Sequence, residues 1–275
     1  MRFALDDGTA LFAYTGGKPW TPGRPTVVFA HGALHDHSVW TLLARWYAHH
    51  GHAVLAVDLP GHGRSDGPVP DSVEAMAGRL LVLLEAAGAG EVRLVGHSMG
   101  ALVALEMAAR APQRAAALVL LGMAYPMKVS PALLATAAED PGRAIAMVNA
   151  FSHSGMAAKP SYPGPGTWLH GANAALLHRM QAAAPGNLFA HDFRLCDAYA
   201  RGLEAAAAVR CPARLIAGIH DVMTPRRATA EIAGALRAEV VDIAAGHALM
   251  QEAPDAVLNA LRQVIPALRP PGDAP

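Results

Sequence analysis

The order of apolar and polar positions along the chain predicts strands and helices that alternate. Short apolar runs, typical of strands buried on both faces, occur at 26–30, 53–57, 92–95 and 116–121. Segments with a helical spacing of apolar residues lie between these runs, at 38–50, 72–87 and 99–110. The alternation returns near the C-terminal end, with strands at 213–219 and 239–243 and helices at 225–236 and 254–268. This pattern predicts an α/β fold with a mostly parallel, doubly wound sheet.

Two segments depart from this alternation. Residues 3–5 and 9–14 are β-prone and flank the turn signal Asp7-Gly8, which predicts an N-terminal hairpin. From 123 to 206 no strand is predicted, and the helical stretches lie at 131–139, 142–151, 171–184 and 189–205. The Pro- and Gly-rich run 159–166 interrupts them and is not expected to be regular. We therefore predict an α/β core formed by residues 1–122 and 207–275, with a frayed tail from 269, and a helical lid formed by residues 123–206.

Composition narrows the class of protein. Apolar residues make up 53% of the 275 residues and charged residues 16%, which excludes a disordered chain. Lys plus Arg and Asp plus Glu each number 22, so no net charge favours nucleic acid or an anionic membrane. No signal-peptide-like run opens the chain, and its apolar runs are too short to span a bilayer. We expect a soluble, cytoplasmic monomer or homodimer that acts on a small molecule, with neither nucleic acid nor membrane as partner.

The cysteines and histidines do not form a metal-binding pattern. Cys196 and Cys211 are too few for a disulfide framework and fit a reducing compartment, although whether they pair stays open. The run His35-Asp36-His37 raises the hypothesis of a metal site. The His-x-His-x-Asp-His pattern of metallo-hydrolases is absent, however, so we predict no metal.

The strongest chemical signal is the motif Gly96-His97-Ser98-Met99-Gly100. It fits Gly-x-Ser-x-Gly, which places a serine on a sharp turn between a strand and a helix. The predicted strand before it and helix after it supply that context. A helix N-cap serine is the alternative interpretation. The context favours Ser98 as a nucleophile.

A serine hydroxyl needs a base to accept its proton, and in this architecture the acid and the histidine follow the serine in that order. His247 lies in a loop after the last predicted strand, and Asp221 lies at the end of the strand before it. The C-terminal ends of parallel strands present the site of an α/β sheet. The sequence therefore predicts a triad of Ser98, Asp221 and His247, with Asp242 and Asp197 as alternative acids.

The segment His31-Gly32-Ala33 follows the first buried strand and has the composition of an oxyanion loop. An oxyanion hole needs two backbone N–H groups near the developing negative charge. We predict that Met99, next to the nucleophile, and Ala33 supply them, and that Gly32 allows a close approach of the loop.

Together these motifs resemble the α/β-hydrolase fold family, in the form that carries a helical cap after the sixth strand. The resemblance rests on His31-Gly32, the turn Asp58-Leu59-Pro60-Gly61-His62-Gly63-Arg64-Ser65, the serine motif at 96–100, Asp221 and Gly246-His247. The motifs occur in the family's order and span nearly the whole chain. A serine at the nucleophile position disfavours epoxide hydrolases and haloalkane dehalogenases, which use aspartate. The chain also lacks the run of glycines after His31 that marks lipases acting on tertiary-alcohol esters.

The resemblance implies a serine hydrolase that cleaves a small to medium acyl ester through an acyl-enzyme, without a cofactor. Carbon–carbon bond hydrolases, lactonases, thioesterases and perhydrolases share the triad and stay open as alternatives. A small-molecule receptor on the same fold is the alternative that is not an enzyme. The side chains of Met123, Met127, Met156, Trp168 and Met180 either line an acyl pocket under the lid or fill its core.

Overall fold

The computed structural model describes residues 1–155 and 168–268. Its centre is a sheet of eight strands in the order β1-β2-β4-β3-β5-β6-β7-β8. The strands are β1 Arg2–Ala4, β2 Ala10–Tyr14, β3 Thr26–Ala30, β4 Ala53–Val57, β5 Val92–His97, β6 Ala115–Leu121, β7 Ala213–Gly218 and β8 Glu239–Ile243. The strands β1 and β2 form the predicted antiparallel hairpin, β2 pairs with β4 antiparallel, and the remaining pairs are parallel. The predicted fold class is confirmed.

Helices cover both faces of the sheet. In chain order they are α1 Thr41–His49, α2 Val73–Ala86, α3 Met99–Arg110, α4 Pro131–Glu139, α5 Pro141–Ser152, α6 Leu169–Ala183, α7 Leu188–Ala198, α8 Gly202–Ala208, α9 Ala230–Leu236, α10 Leu249–Glu252 and α11 Pro254–Arg262. Side chains alternate between the two faces of each strand. On β3, Val28 packs with the α2 and α3 side, whereas Val27 and Phe29 pack with the α1 and α11 side. The central strands are therefore buried on both faces.

The helices between β6 and β7 build a third apolar cluster. Helices α4, α5, α6 and α7, called the inserted helices below, contribute Ala137, Ile145, Leu177 and Phe189 to it. Leu34, from the loop after β3, lies in the same cluster and is 1% exposed. Helix α8 instead places Ala205 in the cluster on the α3 face of the sheet. The loop after β3 is thus packed against the inserted helices.

Several helix boundaries differ from the sequence prediction. The helix predicted at 189–205 is two helices, because Tyr199 has an extended backbone and its hydroxyl donates to the buried carboxylate of Glu106 on α3 at 2.8 Å. Helix α11 ends at Arg262 rather than 268. Pro266 has no N–H and its ring would clash with the carbonyl four residues earlier. Single-turn 3₁₀ helices, His37–Trp40 and Arg226–Thr229, begin the segments predicted as helices at 38–50 and 225–236.

Some predictions lie beyond what the structure describes. The irregular run predicted at 159–166 and the frayed tail predicted from 269 fall outside the described residues. The boundaries of a core and a lid stay predictions. Over 1–155 and 168–268, we find no helix with the length and apolar character that a bilayer crossing requires.

Candidate active site

Ser98 lies at the turn between β5 and α3. Its backbone is in a strained conformation with φ 53° and ψ −120°, where a residue other than glycine is rare. A Cβ at Gly96 would clash with the carbonyl of Gly100, and a Cβ at Gly100 would clash with the carbonyl of Ala30. Glycine at both positions therefore lets the turn close tightly against β3. The result is a half-buried serine at the N-terminus of a buried helix.

His247 and Asp221 meet at the same edge of the sheet. His247 follows β8 and Asp221 follows β7, and Nδ1 of His247 lies 2.8 Å from Oδ2 of Asp221. The hydroxyl of Thr224 donates to the same Oδ2 at 2.6 Å, and the backbone N–H groups of Met223 and Thr224 donate to Oδ1 at 2.8 and 2.9 Å. The carboxylate of Asp221 is thus held in place from several directions.

The environment of Asp221 keeps it ionised. Burial is the largest single effect and raises its pKa. The charge and hydrogen bond of His247 and the bonds from Thr224 outweigh it, so the pKa of Asp221 lies well below its ordinary value. An ionised carboxylate accepts a hydrogen bond from Nδ1–H of His247, so the proton stays on Nδ1 and Nε2 is free to act as a base.

His97 connects the serine motif to the loop that carries His247. Its Nε2 lies 2.9 Å from the carbonyl oxygen of His247 and donates to it, and the rings are 4.7 Å apart. Burial, followed by the charge of His247, lowers the pKa of His97 well below its usual value. A neutral His97 therefore fixes the His247 backbone without adding a charge to the site.

The loop His31-Gly32-Ala33 approaches Ser98 from β3. A Cβ on Gly32 would lie 3.2 Å from the Cβ of Ser98. The His31 ring donates from Nδ1 to the Gly32 carbonyl at 2.8 Å and accepts the Leu59 N–H at Nε2, 3.0 Å away. Burial, followed by the charge of His62, lowers the pKa of His31 to about 4, so the ring is neutral and can make both bonds. His31 thereby orients the Gly32–Ala33 peptide, whose N–H is the predicted oxyanion donor.

A cavity of about 320 Å³ lies beside the serine, the histidine and the oxyanion loop. Ser98, His247 and Ala33 lie on its wall together with Thr224. The rest of the wall is largely apolar and includes Met127, Leu133, Met147, Val148, Phe193 and Met223. The serine, the histidine and the oxyanion loop therefore face one apolar chamber below the inserted helices.

The three candidate acids have different hydrogen-bond partners in the structure. Asp242 pairs with the exposed Arg226 at 2.7 Å, and Asp197 accepts the Val129 N–H at 3.0 Å. Only Asp221 of the three is hydrogen-bonded to His247 in the described residues. Thr224 was not anticipated from the sequence, although an Asp followed by a Thr-Pro step is a recognisable turn signal.

The methionines predicted for an acyl pocket or a lid core divide between the two. Met127 lines the cavity, whereas Met123 and Met180 are buried in apolar clusters. Trp168 is 56% exposed, and Met156 falls outside the described residues. Met147 and Met223 line the cavity but were not anticipated.

The cysteines are unpaired, and the N-terminal histidines contact residues outside a metal site. Cys196 and Cys211 are both free. The rings of His37 and His35 contact Asp58 and Asn173, at 2.7 and 3.1 Å. Within 1–155 and 168–268, no three His, Cys, Asp or Glu side chains are grouped as a metal site would require.

Comparison with known proteins identifies the fold. Residues 25–254 match the family model described as alpha/beta hydrolase fold. RutD of Klebsiella pneumoniae, a candidate carbamate hydrolase, is 28% identical over 92% of this chain and 95% of its own length.

Solved structures give the same result. The enol-lactonase of Burkholderia xenovorans superposes with a TM-score of 0.81 over 96% of this chain and 99% of its own, at 22% identity. The esterase EaEST of Exiguobacterium antarcticum superposes with a TM-score of 0.79 over 96% and 98%, at 15% identity. These likenesses establish the shared fold over nearly the whole chain.

Proposed function

The chain belongs to the α/β-hydrolase fold family, and from that premise we propose that it is a serine hydrolase that cleaves small to medium acyl esters through an acyl-enzyme. One observation carries the proposal. Ser98 and His247 line one apolar cavity, and His247 is hydrogen-bonded to the buried Asp221 at 2.8 Å. A structural serine at a helix start requires neither a buried base–acid pair nor a chamber.

The proposed reaction has two halves. Ser98 Oγ attacks the ester carbonyl while Nε2 of His247 accepts its proton, and His247 then protonates the departing alcohol. Water, deprotonated by His247, attacks the acyl-enzyme; the bond between the acyl carbon and Ser98 Oγ then breaks, His247 returns its proton to Oγ, and the acid is released. Asp221 stabilises the imidazolium that forms in each half. The N–H groups of Ala33 and Met99 stabilise the oxyanion in both.

The cavity supports an apolar acyl group as the part of the substrate that is recognised. Its volume of about 320 Å³ is near the lower end of ligand pockets, which span roughly 300–1,000 Å³. Its walls come from α4, α5 and α7, from the segments that follow β6 and β7, and from the loops that carry Ala33, Ser98 and His247. The inserted helices would then act as the lid over the acyl chain, which is the role we propose for residues 123–206.

The names of the similar proteins suggest that carbonyl compounds other than simple esters should also be considered as substrates. They include an esterase, an enol-lactonase and a candidate carbamate hydrolase, and an ester, a lactone and a carbamate each contain a carbonyl carbon. A lactone and a carbamate therefore belong in the substrate panel beside the esters.

The proposal is tested by hydrolysis of p-nitrophenyl esters from acetate to laurate, with Ser98→Ala as the matched variant. We expect turnover that peaks at a short or medium acyl chain in the wild type and falls to background in Ser98→Ala. Equal turnover by both proteins would remove Ser98 from the mechanism. Absence of turnover on esters, lactone and carbamate, by protein whose circular dichroism shows it folded, would favour a receptor.

A further inference from the structure

One peptide unit in the oxyanion loop is held from both of its ends. The carbonyl of Ala33 accepts a hydrogen bond from Nδ1 of His35 at 2.7 Å. The N–H of Leu34, on the other side of the same peptide bond, donates to Oδ2 of Asp192 at 2.8 Å. Leu34 has a φ of 56°, a left-handed conformation that a leucine adopts only where its surroundings impose it.

Asp192 reaches the loop from a distant part of the chain. It lies on α7, one of the inserted helices, 158 residues after Leu34, and is fully buried. The Leu34 side chain packs in the apolar cluster of the same helices. His35 is joined to them too, since its Nε2 lies 3.1 Å from the Asn173 side chain on α6. The Leu34 N–H, the Leu34 side chain and the His35 ring are thus all held by the inserted helices.

The buried charge of Asp192 has a partner. Its Oδ2 lies 2.9 Å from Nε2 of the fully buried His62, whose Nδ1 faces the Pro60 carbonyl at 3.1 Å. Burial lowers the pKa of His62, but the charge and hydrogen bond of Asp192 outweigh burial and raise it overall. The imidazolium of His62 therefore neutralises Asp192 and fixes the oxygen that accepts from Leu34.

We propose that Asp192 is a positioning residue for the oxyanion hole, and that the inserted helices complete this hole as well as cover the cavity. The inference rests on the proposed function, because Ala33 is the donor it assigns. The N–H of Ala33 belongs to the peptide that precedes the one fixed by Asp192. Rotation of the fixed peptide would turn the donor away from Ser98, and catalysis is sensitive to displacements of about 1 Å.

The test compares three variants with the wild type on the best ester substrate. Asp192→Ala removes the acceptor of the Leu34 N–H, and we expect kcat to fall by about 10- to 100-fold with KM within about threefold. Asp192→Asn keeps an amide oxygen for Leu34, and we expect kcat to recover to within about fivefold of the wild type. Arg179→Gln breaks another ion pair between an inserted helix and this region, Arg179 with Asp36 at 2.7 Å, and should leave kcat unchanged.

A second measurement separates this inference from the proposed function. Amide hydrogen exchange of the peptide covering residues 31–37 should be faster in Asp192→Ala than in the wild type or Arg179→Gln. If Asp192→Ala does not fold, His62→Gln combined with Asp192→Leu removes the contact without leaving an unpaired charge, and the same changes in kcat and exchange are expected.

The outcomes are distinct. Equal activity of wild type and Ser98→Ala would overturn the proposed function, and the exchange of residues 31–37 would still report whether Asp192 holds the loop. A kcat for Asp192→Ala within about threefold of the wild type, or a loss confined to KM, would overturn the positioning role. Unchanged exchange in that variant would overturn it as well.

Discussion

Nδ1 of His247 lies 2.8 Å from Oδ2 of Asp221, although the two residues are 26 positions apart along the chain. The parallel pairing of β7 with β8, in which Gly218 lies opposite Ile243, brings the two loops to the same edge of the sheet. The strand register therefore places the two loops side by side. The residues between the end of each strand and Asp221 or His247 then determine the distance between the two side chains.

The first prediction concerns the acid. Asp221→Asn keeps the shape of the side chain but favours the wrong imidazole tautomer, and a loss of about 10⁴-fold in kcat is known for such a change in a serine protease triad. We expect a loss of about 10³- to 10⁴-fold here, measured with the best ester. Asp242→Asn is the matched control, because Asp242 is exposed and pairs with Arg226. Activity near wild type in Asp221→Asn would show that another group orients His247.

The second prediction concerns the acyl cavity. Val148 lies on α5 and lines the cavity, whereas Ala146 lies on the same helix and is exposed. Val148→Phe should shorten the preferred acyl chain by filling the chamber, with the acetate ester least affected. Ala146→Phe should leave the chain-length profile unchanged. An unaltered profile in Val148→Phe would mean that the acyl chain does not occupy this cavity.

The third prediction concerns stability in acid. Burial lowers the pKa of His31 to about 4, from 6.5 for an ordinary histidine. Between these values the unfolded state binds more protons than the folded state, so stability rises with pH and falls as pH drops from 6.5 to 4. His31 contributes to that fall, whereas His62, whose pKa is raised by Asp192, opposes it. Burial also lowers the pKa of His35, His52, His97 and His153, which adds to the effect.

Urea unfolding at a series of pH values measures this slope. The free energy of unfolding should fall between pH 6.5 and pH 4, and the fall should be smaller in His31→Asn. His178→Gln, at an exposed histidine, should retain the wild-type slope. A free energy of unfolding that is constant or increases as pH drops through this range would contradict the account of buried neutral histidines.

The sequence could predict the sheet and the elbow because their signals are local. A buried strand such as β3 is a short apolar run, and the glycines beside Ser98 are two residues from it on either side. The place of Asp221 at a strand end favours it over Asp242 as the predicted acid. The order and spacing of these elements constrain the fold more than any single residue does.

The sequence carries no such local signal for contacts between segments that are distant along the chain. His62 and Asp192 are 130 residues apart, and neither has a neighbour in sequence that marks it as half of a buried pair. At the break between α7 and α8, Tyr199 contacts Glu106 on another helix, which no local pattern indicates. The cavity wall likewise combines residues from many separate segments, among them α4, α5, α7 and the loops after β3, β6, β7 and β8, so its size could not be predicted from any one of them.

The assignment of Ser98 as the nucleophile is tested most directly by identifying the residue with which a fluorophosphonate reacts. We expect one label for each chain, located on Ser98 by peptide mass mapping. Ester turnover should fall in proportion to labelling, and Ser98→Ala should stay unlabelled. Cys196 lines the same cavity, and burial raises the pKa of its thiol, so it should stay unmodified. Full turnover by protein labelled at Ser98, or a label on another residue that accounts for the loss of activity, would contradict the assignment of Ser98 as the nucleophile.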